Sequence, residues 1–378
     1  MTAADRLAAT STTPALILRG LAKRFGDVRA VDGVDLEVRR GEFLTLLGPS
    51  GSGKTTTLRM IAGFTSQSAG TIEIDGADMS RVPPYRRDVG MVFQNYALFP
   101  HMTAAQNVAF PLQMRGLARA EIKRQVADTL GLVKLASHGE RYPRQLSGGQ
   151  QQRIALARAV VFKPRLLLMD EPLGALDKKL REALQLEIMH ISRELGATVI
   201  YVTHDQEEAL VMSDRIAIFR DGRIEQLGSG EDLYDRPISL FVADFIGESN
   251  ILRGQFERDG AGGWLTRGDG RWRVGGPAVE RAPIESGSAA AIIVRPERLR
   301  IVGPEDDGGA EANRVEATVR DVLYLGSMRK YELRLADGQP AVVRRPIGGE
   351  HQWNDGDRVH LTWAVDDAVL VSASEASP

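Results

Sequence analysis

The run Gly48-Pro-Ser-Gly-Ser-Gly-Lys-Thr55 places glycines, hydroxyls and one lysine at a spacing that suits phosphate binding. Glycines let backbone N–H groups wrap an anion, and the helical stretch predicted to begin at Thr55 adds the favourable dipole of its N-terminus. Lys54 can reach the β- and γ-phosphates of a nucleotide, and Thr55 can offer a hydroxyl to Mg²⁺. The predicted phosphate contacts are Gly48, Pro49, Ser50, Gly51, Ser52, Gly53, Lys54, Thr55 and Thr56.

Two adjacent carboxylates, Asp170 and Glu171, close the apolar run at 165–169. Adjacent residues at the end of a strand point in different directions, so only one carboxylate should reach the metal through its bound water. The other could accept a proton from an attacking water. An acidic strand end on its own is often a solvated cap. Beside the phosphate loop, the interpretation as metal ligand and base is favoured.

A third segment, Leu146-Ser-Gly-Gly-Gln150, runs into the helical stretch 154–161. Ser147 is a good N-cap, and the two glycines permit close backbone approach to an anion. An ordinary capped helix explains the same residues, and the residues alone leave these alternatives open.

The elements that must position these groups alternate along the first two thirds of the chain. Short apolar runs such as 43–47, 89–93, 198–202 and 215–219 are separated by helical stretches such as 119–130 and 149–161. This pattern is typical of an α/β fold with a mainly parallel sheet. From Ile251 onward the runs are short, alternating and punctuated by Gly and Asp, which predicts a small all-β, barrel-like unit. We therefore predict a flexible N-terminus at 1–14, a catalytic domain at 15–245 and a β-barrel domain at 246–378.

Composition excludes several classes of function. The 378 residues contain no cysteine, which excludes disulfide frameworks, Cys-ligated zinc and thiol catalysis. A net charge of −2 gives no basic field for nucleic acid, so we predict no nucleic-acid partner. The sequence has no apolar stretch of the ~20 residues that cross a bilayer, and its start lacks the pattern of a signal peptide. These features predict a soluble, cytosolic chain.

The motifs occur in the order found in ABC-transporter ATPase subunits, and the chain resembles that family over essentially its whole length. The resemblance implies a P-loop NTPase cassette with a helical subdomain, followed by an OB-like domain of the TOBE type, and it implies ATP and Mg²⁺ as cofactors. Gln94 resembles the glutamine that senses Mg²⁺ and the attacking water, Glu171 the general base and Asp170 the metal-side carboxylate. His204 resembles the γ-phosphate contact, which makes Glu171, His204 and Gln94 the predicted catalytic set and Thr55, Gln94 and Asp170 the predicted metal set.

Further roles follow from the same resemblance. Ser147, Gly148, Gly149 and Gln150 resemble the signature that closes on the nucleotide of another subunit, and Asp177 would line that interface. Phe25 resembles the aromatic that stacks on adenine, although a core aromatic is an alternative interpretation. One phosphate loop and one signature per chain imply a head-to-tail dimer of two copies, with an ATP in each interface.

The missing membrane span then implies separate permease partners and, indirectly, a periplasmic or extracellular solute-binding protein. The chain would sit peripherally at the cytoplasmic face of the inner or plasma membrane. The segment Asn95–His101 matches the permease-docking region of the family, with a packed loop as the alternative. Strings such as 324–331 look most like the spermidine/putrescine branch of bacterial importers. The alternatives are sugar, glycerol-phosphate or iron importers and, outside transport, a soluble ABC ATPase.

Overall fold

A computed structural model of the protein describes residues 14–174, 177–282, 284–305, 312–348 and 351–373. The described residues form two compact units, which divide between Gly230 and Glu231. This division lies upstream of the predicted boundary between 245 and 246, and the predicted domain bounds stay a prediction. The predicted flexible N-terminus, apart from Pro14, lies outside the described residues. Among the described residues, none of the helices combines the length and apolarity that a membrane span requires.

The first unit contains two sheets and six α-helices within its described residues. In chain order its elements are β1 (Leu16–Phe25), β2 (Val28–Val38), β3 (Phe43–Leu47), α1 (Lys54–Ala62), β4 (Ala69–Ile74), β5 (Ala77–Asp78), β6 (Val89–Val92), α2 (Ala104–Met114), α3 (Arg119–Leu132), α4 (Gly148–Val160), β7 (Leu166–Asp170), α5 (Lys178–Leu195), β8 (Thr198–Thr203), α6 (Gln206–Met212), β9 (Arg215–Arg220) and β10 (Arg223–Gly228).

The central sheet has six strands in the order β10-β9-β3-β8-β7-β6, parallel except for β10. Its inner strands are buried on both faces, because successive side chains point to opposite sides of a strand. On β7, Leu167 and Met169 enter one core, while Leu166 and Leu168 enter another. The predicted parallel sheet is confirmed, and its carboxyl-terminal edge carries the loops after β3, β7 and β8.

A second sheet, with the order β2-β1-β4-β5, is antiparallel throughout. It was not predicted from the sequence. Register shifts interrupt the pairing of β1 with β2 and with β4, which breaks the simple alternation that sequence patterns detect.

Helices α2, α3 and α4 form the helical subdomain around one part of the core. The sequence predicted α3 and α4 but missed α2, which contains Pro111. A capping box starts α2, in which Thr103 Oγ1 accepts from Gln106 N at 3.3 Å and Gln106 Oε1 accepts from Thr103 N at 2.8 Å. The buried Asn107 amide then holds the Phe99 backbone at both its N–H and its carbonyl.

From Gly230 onward the chain is mainly β. Its described elements are α7 (Gly230–Asp235), α8 (Leu240–Phe245), β11 (Asn250–Asp259), β12 (Gly262–Arg267), β13 (Gly270–Val274), α9 (Gly276–Arg281), β14 (Ala289–Val294), β15 (Arg300–Val302), β16 (Ala312–Tyr324), β17 (Met328–Leu335), β18 (Pro340–Pro346), β19 (Arg358–Ala364) and β20 (Ala368–Ser372). Two antiparallel five-stranded sheets, β13-β12-β11-β14-β20 and β15-β19-β16-β17-β18, enclose one apolar core. The predicted all-β unit is confirmed.

A buried arginine joins the short helices α7 and α8 to this β unit. The Arg295 guanidinium donates to the Tyr234 carbonyl at 2.7 Å, the Ala243 carbonyl at 2.9 Å and Ser249 Oγ at 2.6 Å. It also lies 3.9 Å from the centroid of the Tyr234 ring. Because several neutral acceptors satisfy one buried cation, the segment between β10 and β11 is held to the second unit.

Candidate functional site

The phosphate loop, Gly48–Thr55, connects β3 to α1 in a shape that requires glycine. Gly51 and Gly53 have φ of 80° and 102°, a region that other residues adopt at a cost. A Cβ at Gly53 would lie 2.5 Å from the Ala30 carbonyl, and one at Gly48 would lie 2.4 Å from the Phe219 carbonyl. The loop therefore has no space for side chains at these two positions, and its backbone is fixed by the strands around it.

Lys54 is the first residue of α1 and is only 5% exposed. Its ammonium donates to the Gly48 carbonyl at 2.7 Å and to the Pro49 carbonyl at 2.8 Å, so it lies inside the curve of the loop. Burial lowers the pKa of Lys54, while the nearby charges of Glu171 and Asp170 raise it. This is a cation placed to meet an anion with little water between them.

Thr55 and Asp170 meet across the end of the sheet. The Thr55 hydroxyl donates to Asp170 Oδ1 at 3.1 Å. Burial raises the pKa of the Asp170 carboxyl, and the hydrogen bond from Thr55 lowers it to a lesser degree. A hydroxyl and a carboxylate side by side are the hard oxygen donors that Mg²⁺ prefers.

Glu171 points to a different group of residues, as the divergence of neighbouring side chains predicts. Its Oε2 accepts from Gln94 Nε2 at 3.2 Å and lies 3.4 Å from His204 Nδ1. Glu171 has a φ of 44°, in the left-handed region, and its N–H donates to the Val202 carbonyl at 3.0 Å. The backbone strain turns the carboxylate away from the Asp170 side and towards the ends of β6 and β8.

The signature segment, Leu146–Gln150, forms the start of α4 rather than a contact of the phosphate loop in this chain. Ser147 and Gln150 make a reciprocal capping box, with Gln150 Oε1 accepting from Ser147 N at 3.0 Å. Ser147 and Gly148 are exposed, while Gly149 is buried against Leu180. The structure does not bring this segment to the loop of the same chain.

Two further predicted residues lie apart from the carboxylate group. Asp177 is exposed and caps α5, with its Oδ1 accepting from Leu180 N at 3.0 Å. Phe25 is 53% exposed at the end of β1, with Lys23 Nζ 5.0 Å from its ring centroid. The alternative of a core aromatic is therefore wrong for Phe25, and its adenine-stacking role stays a prediction.

A turn at Gly222, which was not predicted from the sequence, supports the phosphate loop from behind. Gly222 N donates to the Ser52 carbonyl at 3.1 Å, and the Gly222 carbonyl accepts from Asp32 N at 2.9 Å. Gly222 has a φ of 81°. The dipeptide Asp221-Gly222, which directly follows β9, is a turn signal that could have located it.

The comparisons with known proteins agree with this geometry. The ABC transporter family model matches residues 31–174, and the TOBE domain model matches residues 292–371. The spermidine/putrescine import ATP-binding protein PotA of Thermobifida fusca is 49% identical over 95% of this chain and 94% of its own length. Proteins of the same name from Acidothermus cellulolyticus and Pseudomonas aeruginosa are 50% and 46% identical, over 97% and 96% of this chain and 96% and 100% of their own lengths.

The chain belongs to the family of ABC transporter ATP-binding proteins. Among solved structures, it is similar to the dimeric post-hydrolysis state of the ATP-binding cassette MJ0796 bound to ADP and Pi, with 32% identity and a TM-score of 0.51. That match covers 57% of this chain and 98% of the other. The predicted ABC cassette with a TOBE-type domain is thus confirmed, as is an ATPase that uses ATP and Mg²⁺.

The residues present fit these ligands. At Gly51 the loop faces open space, since a Cβ there would meet nothing within 4 Å, and the buried Lys54 ammonium lies inside the curve of the same loop. The Thr55–Asp170 pair supplies oxygen donors for Mg²⁺ at the edge of the same loop. These phosphate and Mg²⁺ contacts come from the residues of one chain and do not include the signature segment at the start of α4.

Proposed function

We propose that this ABC ATPase energises the import of polyamines, with spermidine or putrescine as the solute. The proposal is supported by relatives named as spermidine/putrescine import ATP-binding proteins, which match this chain almost from end to end. The observation that carries the ATPase chemistry is the position of the Glu171 carboxylate, within 3.2 Å of Gln94 and 3.4 Å of His204.

In the proposed mechanism the phosphate loop holds the β- and γ-phosphates, and Lys54 neutralises part of their charge. Glu171 accepts a proton from the attacking water, Gln94 orients that water, and His204 contacts the γ-phosphate. Thr55 and Asp170 would hold Mg²⁺, which supplies positive charge to the phosphate oxygens when bound. The strained backbone of Glu171 aims the base before the substrate arrives, so little reorganisation is needed during the reaction.

The exposure of two signature residues, Ser147 and Gly148, supports an assembly of two chains. In the proposed assembly, Ser147, Gly148, Gly149 and Gln150 of one copy close on the nucleotide held by the phosphate loop of a second copy. Asp177 lies on the same interface, and Phe25 stacks on the adenine. Two ATP molecules are then shared between two identical chains.

The assembly extends to membrane partners. Permease subunits would dock at Asn95–His101 on the cytoplasmic face of the inner membrane, and a solute-binding protein would deliver the polyamine outside. The docking segment is held in a fixed shape, because Arg158 donates to the Tyr96 carbonyl at 2.8 Å and the Ala97 carbonyl at 2.7 Å. Tyr96 and Ala97 both have positive φ. A rigid loop of this kind transmits cassette motion to a docked helix with little loss.

Transport in a defined system tests the solute. The chain is reconstituted in proteoliposomes with the permease subunits that co-purify with it, a solute-binding protein from the same organism and internal ATP. We expect uptake of radiolabelled spermidine or putrescine that is absent with the Lys54→Ala chain. Uptake of a sugar, glycerol phosphate or iron in place of polyamine would reject the proposed solute while leaving the ATPase assignment intact.

A further inference from the structure

We infer that Arg181 is a positioning residue that ties the start of α5 to the turn carrying His204, and thereby links the signature segment to the γ-phosphate contact of the same chain. The inference rests on the proposed function, because it takes the roles of His204 and of the signature from there. It adds a residue that neither the motif pattern nor the family resemblance singled out.

The start of α5 is in contact with the signature helix. A Cβ at Gly149 would lie 3.2 Å from Leu180 Cδ2, so α4 and α5 meet with only a glycine between them. Leu180 N also donates to the capping carboxylate of Asp177. A movement of the signature helix therefore displaces the first turn of α5, because close-packed atoms leave no free space to absorb it.

Arg181 connects this first turn of α5 to the residues that follow β8. Its N–H donates to the Asp177 carbonyl at 2.9 Å, which places it one turn into the helix. Its guanidinium Nη1 donates to Asp205 Oδ2 at 2.9 Å, and both side chains are less than one third exposed. A charge-assisted hydrogen bond in this partly buried position is stronger and more directional than a surface ion pair.

Asp205 directly follows His204 and is held from two sides. One carboxylate oxygen accepts a hydrogen bond from Arg181. The other caps α6 by accepting from Glu207 N at 2.9 Å and Glu208 N at 3.2 Å. Asp205 N donates to Thr203 Oγ1 at 3.0 Å. These bonds fix the backbone on the carboxyl side of His204.

The buried Glu208 completes the connection to the sheet. Its Oε2 accepts from Tyr201 Oη at 2.8 Å and Thr203 Oγ1 at 2.7 Å, and its Oε1 lies 3.8 Å from Arg181 Nε. The His204 side chain, by contrast, is 59% exposed. Because few neighbours hold the imidazole itself, its position depends on the backbone turn that Arg181 and Asp205 fix.

The test compares purified full-length variants in a steady-state ATPase assay. Arg181→Met removes the guanidinium, Asp205→Asn keeps a helix-capping oxygen but weakens the ion pair, and the double variant removes both. Arg193→Met is the matched control, since Arg193 is an exposed arginine on the same helix. Binding of trinitrophenyl-ATP and the melting temperature are measured for each variant.

We expect Arg181→Met and Asp205→Asn each to lower kcat by about tenfold, with the affinity for trinitrophenyl-ATP within about twofold of wild type. We expect the kcat of the double variant to be within about twofold of that of either single variant, because the two substitutions break the same bond between Arg181 and Asp205. Arg193→Met should match wild type.

A kcat for Arg181→Met equal to that of Arg193→Met would overturn the inference, and so would fully multiplicative losses in the double variant. Loss of nucleotide binding in parallel with kcat would also overturn it, because that result indicates a structural defect of the site. An inactive wild-type chain would instead reject the proposed function.

Discussion

Glu171 is the residue at which local strain and chemistry coincide. Its left-handed φ of 44° costs on the order of 1–2 kcal/mol for a residue with a side chain. The structure maintains it through the hydrogen bond from Glu171 N to the Val202 carbonyl. Because of this backbone conformation, two neighbouring side chains at one strand end contact different partners. Asp170 contacts Thr55, and Glu171 contacts Gln94.

Replacing the proposed base should separate nucleotide binding from hydrolysis. We expect Glu171→Gln to lower kcat by about 100- to 10,000-fold, because the amide cannot accept the proton. ATP affinity should remain, since Lys54 and the phosphate loop are untouched. A phosphate-release assay measures the rate, with Glu194→Gln on the exposed side of α5 as the control. Near-normal hydrolysis would rule out Glu171 as the base.

At the scale of elements, glycines decide how closely the phosphate loop approaches its neighbours. Gly53 lies against the Ala30 carbonyl of β2, whereas a Cβ at Gly51 would meet nothing within 4 Å. Both have positive φ, so the two positions share the backbone strain and differ only in the steric clash. They form a matched pair for testing which of these matters.

We expect Gly53→Ala to weaken ATP binding by at least about tenfold, because the loop must shift away from β2. Gly51→Ala bears the backbone strain alone and should weaken binding less. Calorimetric titration with ATP measures both affinities. Equal losses at the two positions would contradict a steric origin.

The contact of α6 with β8 depends on a buried carboxyl and gives a pH prediction. Burial raises the pKa of Glu208 above its ordinary value of 4.5, so the folded state favours the protonated form. Its stabilising contribution is complete below the unfolded pKa and is lost as pH rises through the folded pKa. We expect the melting temperature of Glu208→Gln, relative to wild type, to rise as pH increases from about 4 to 7. A difference that stays constant with pH would contradict this origin.

At the scale of the whole molecule, each chain carries a phosphate loop and a signature that face different places. In the proposed head-to-tail dimer, every active site combines parts of two copies. The arrangement makes a complementation experiment possible with two inactive variants. One variant loses the loop lysine, and the other loses the signature serine.

We expect Lys54→Ala and Ser147→Arg chains each to be inactive and their equimolar mixture to regain activity. Half of the dimers in the mixture are mixed, and each of these holds one intact site, so about a quarter of wild-type activity is the upper limit. The ATPase rate of the mixture against each variant alone is the measurement. A mixture as inactive as its components would argue against shared sites.

The sequence was most informative where chemistry fixes spacing. The phosphate loop, the carboxylate pair and the parallel sheet could be predicted because glycine, lysine and buried apolar runs leave few alternatives. Helix α2 was missed because Pro111 lies inside it, although the capping pair of Thr103 and Gln106 is a local signal that could have located its start. The contact of Gly222 with Ser52 and the bond between Arg181 and Asp205 join residues far apart in the chain, which no local pattern encodes.

The Arg295 guanidinium also affects which residues should unfold together in local fluctuations. Its hydrogen bonds to the carbonyls of Tyr234 and Ala243 connect α7 and α8 to β14. Amide hydrogens of these two short helices should therefore exchange with solvent water on the timescale of the β unit, not on that of the cassette. In hydrogen–deuterium exchange, the change from one exchange rate to the other should then occur close to Gly230. The segment that unfolds together with the β unit would therefore begin before β11, the first strand of that unit.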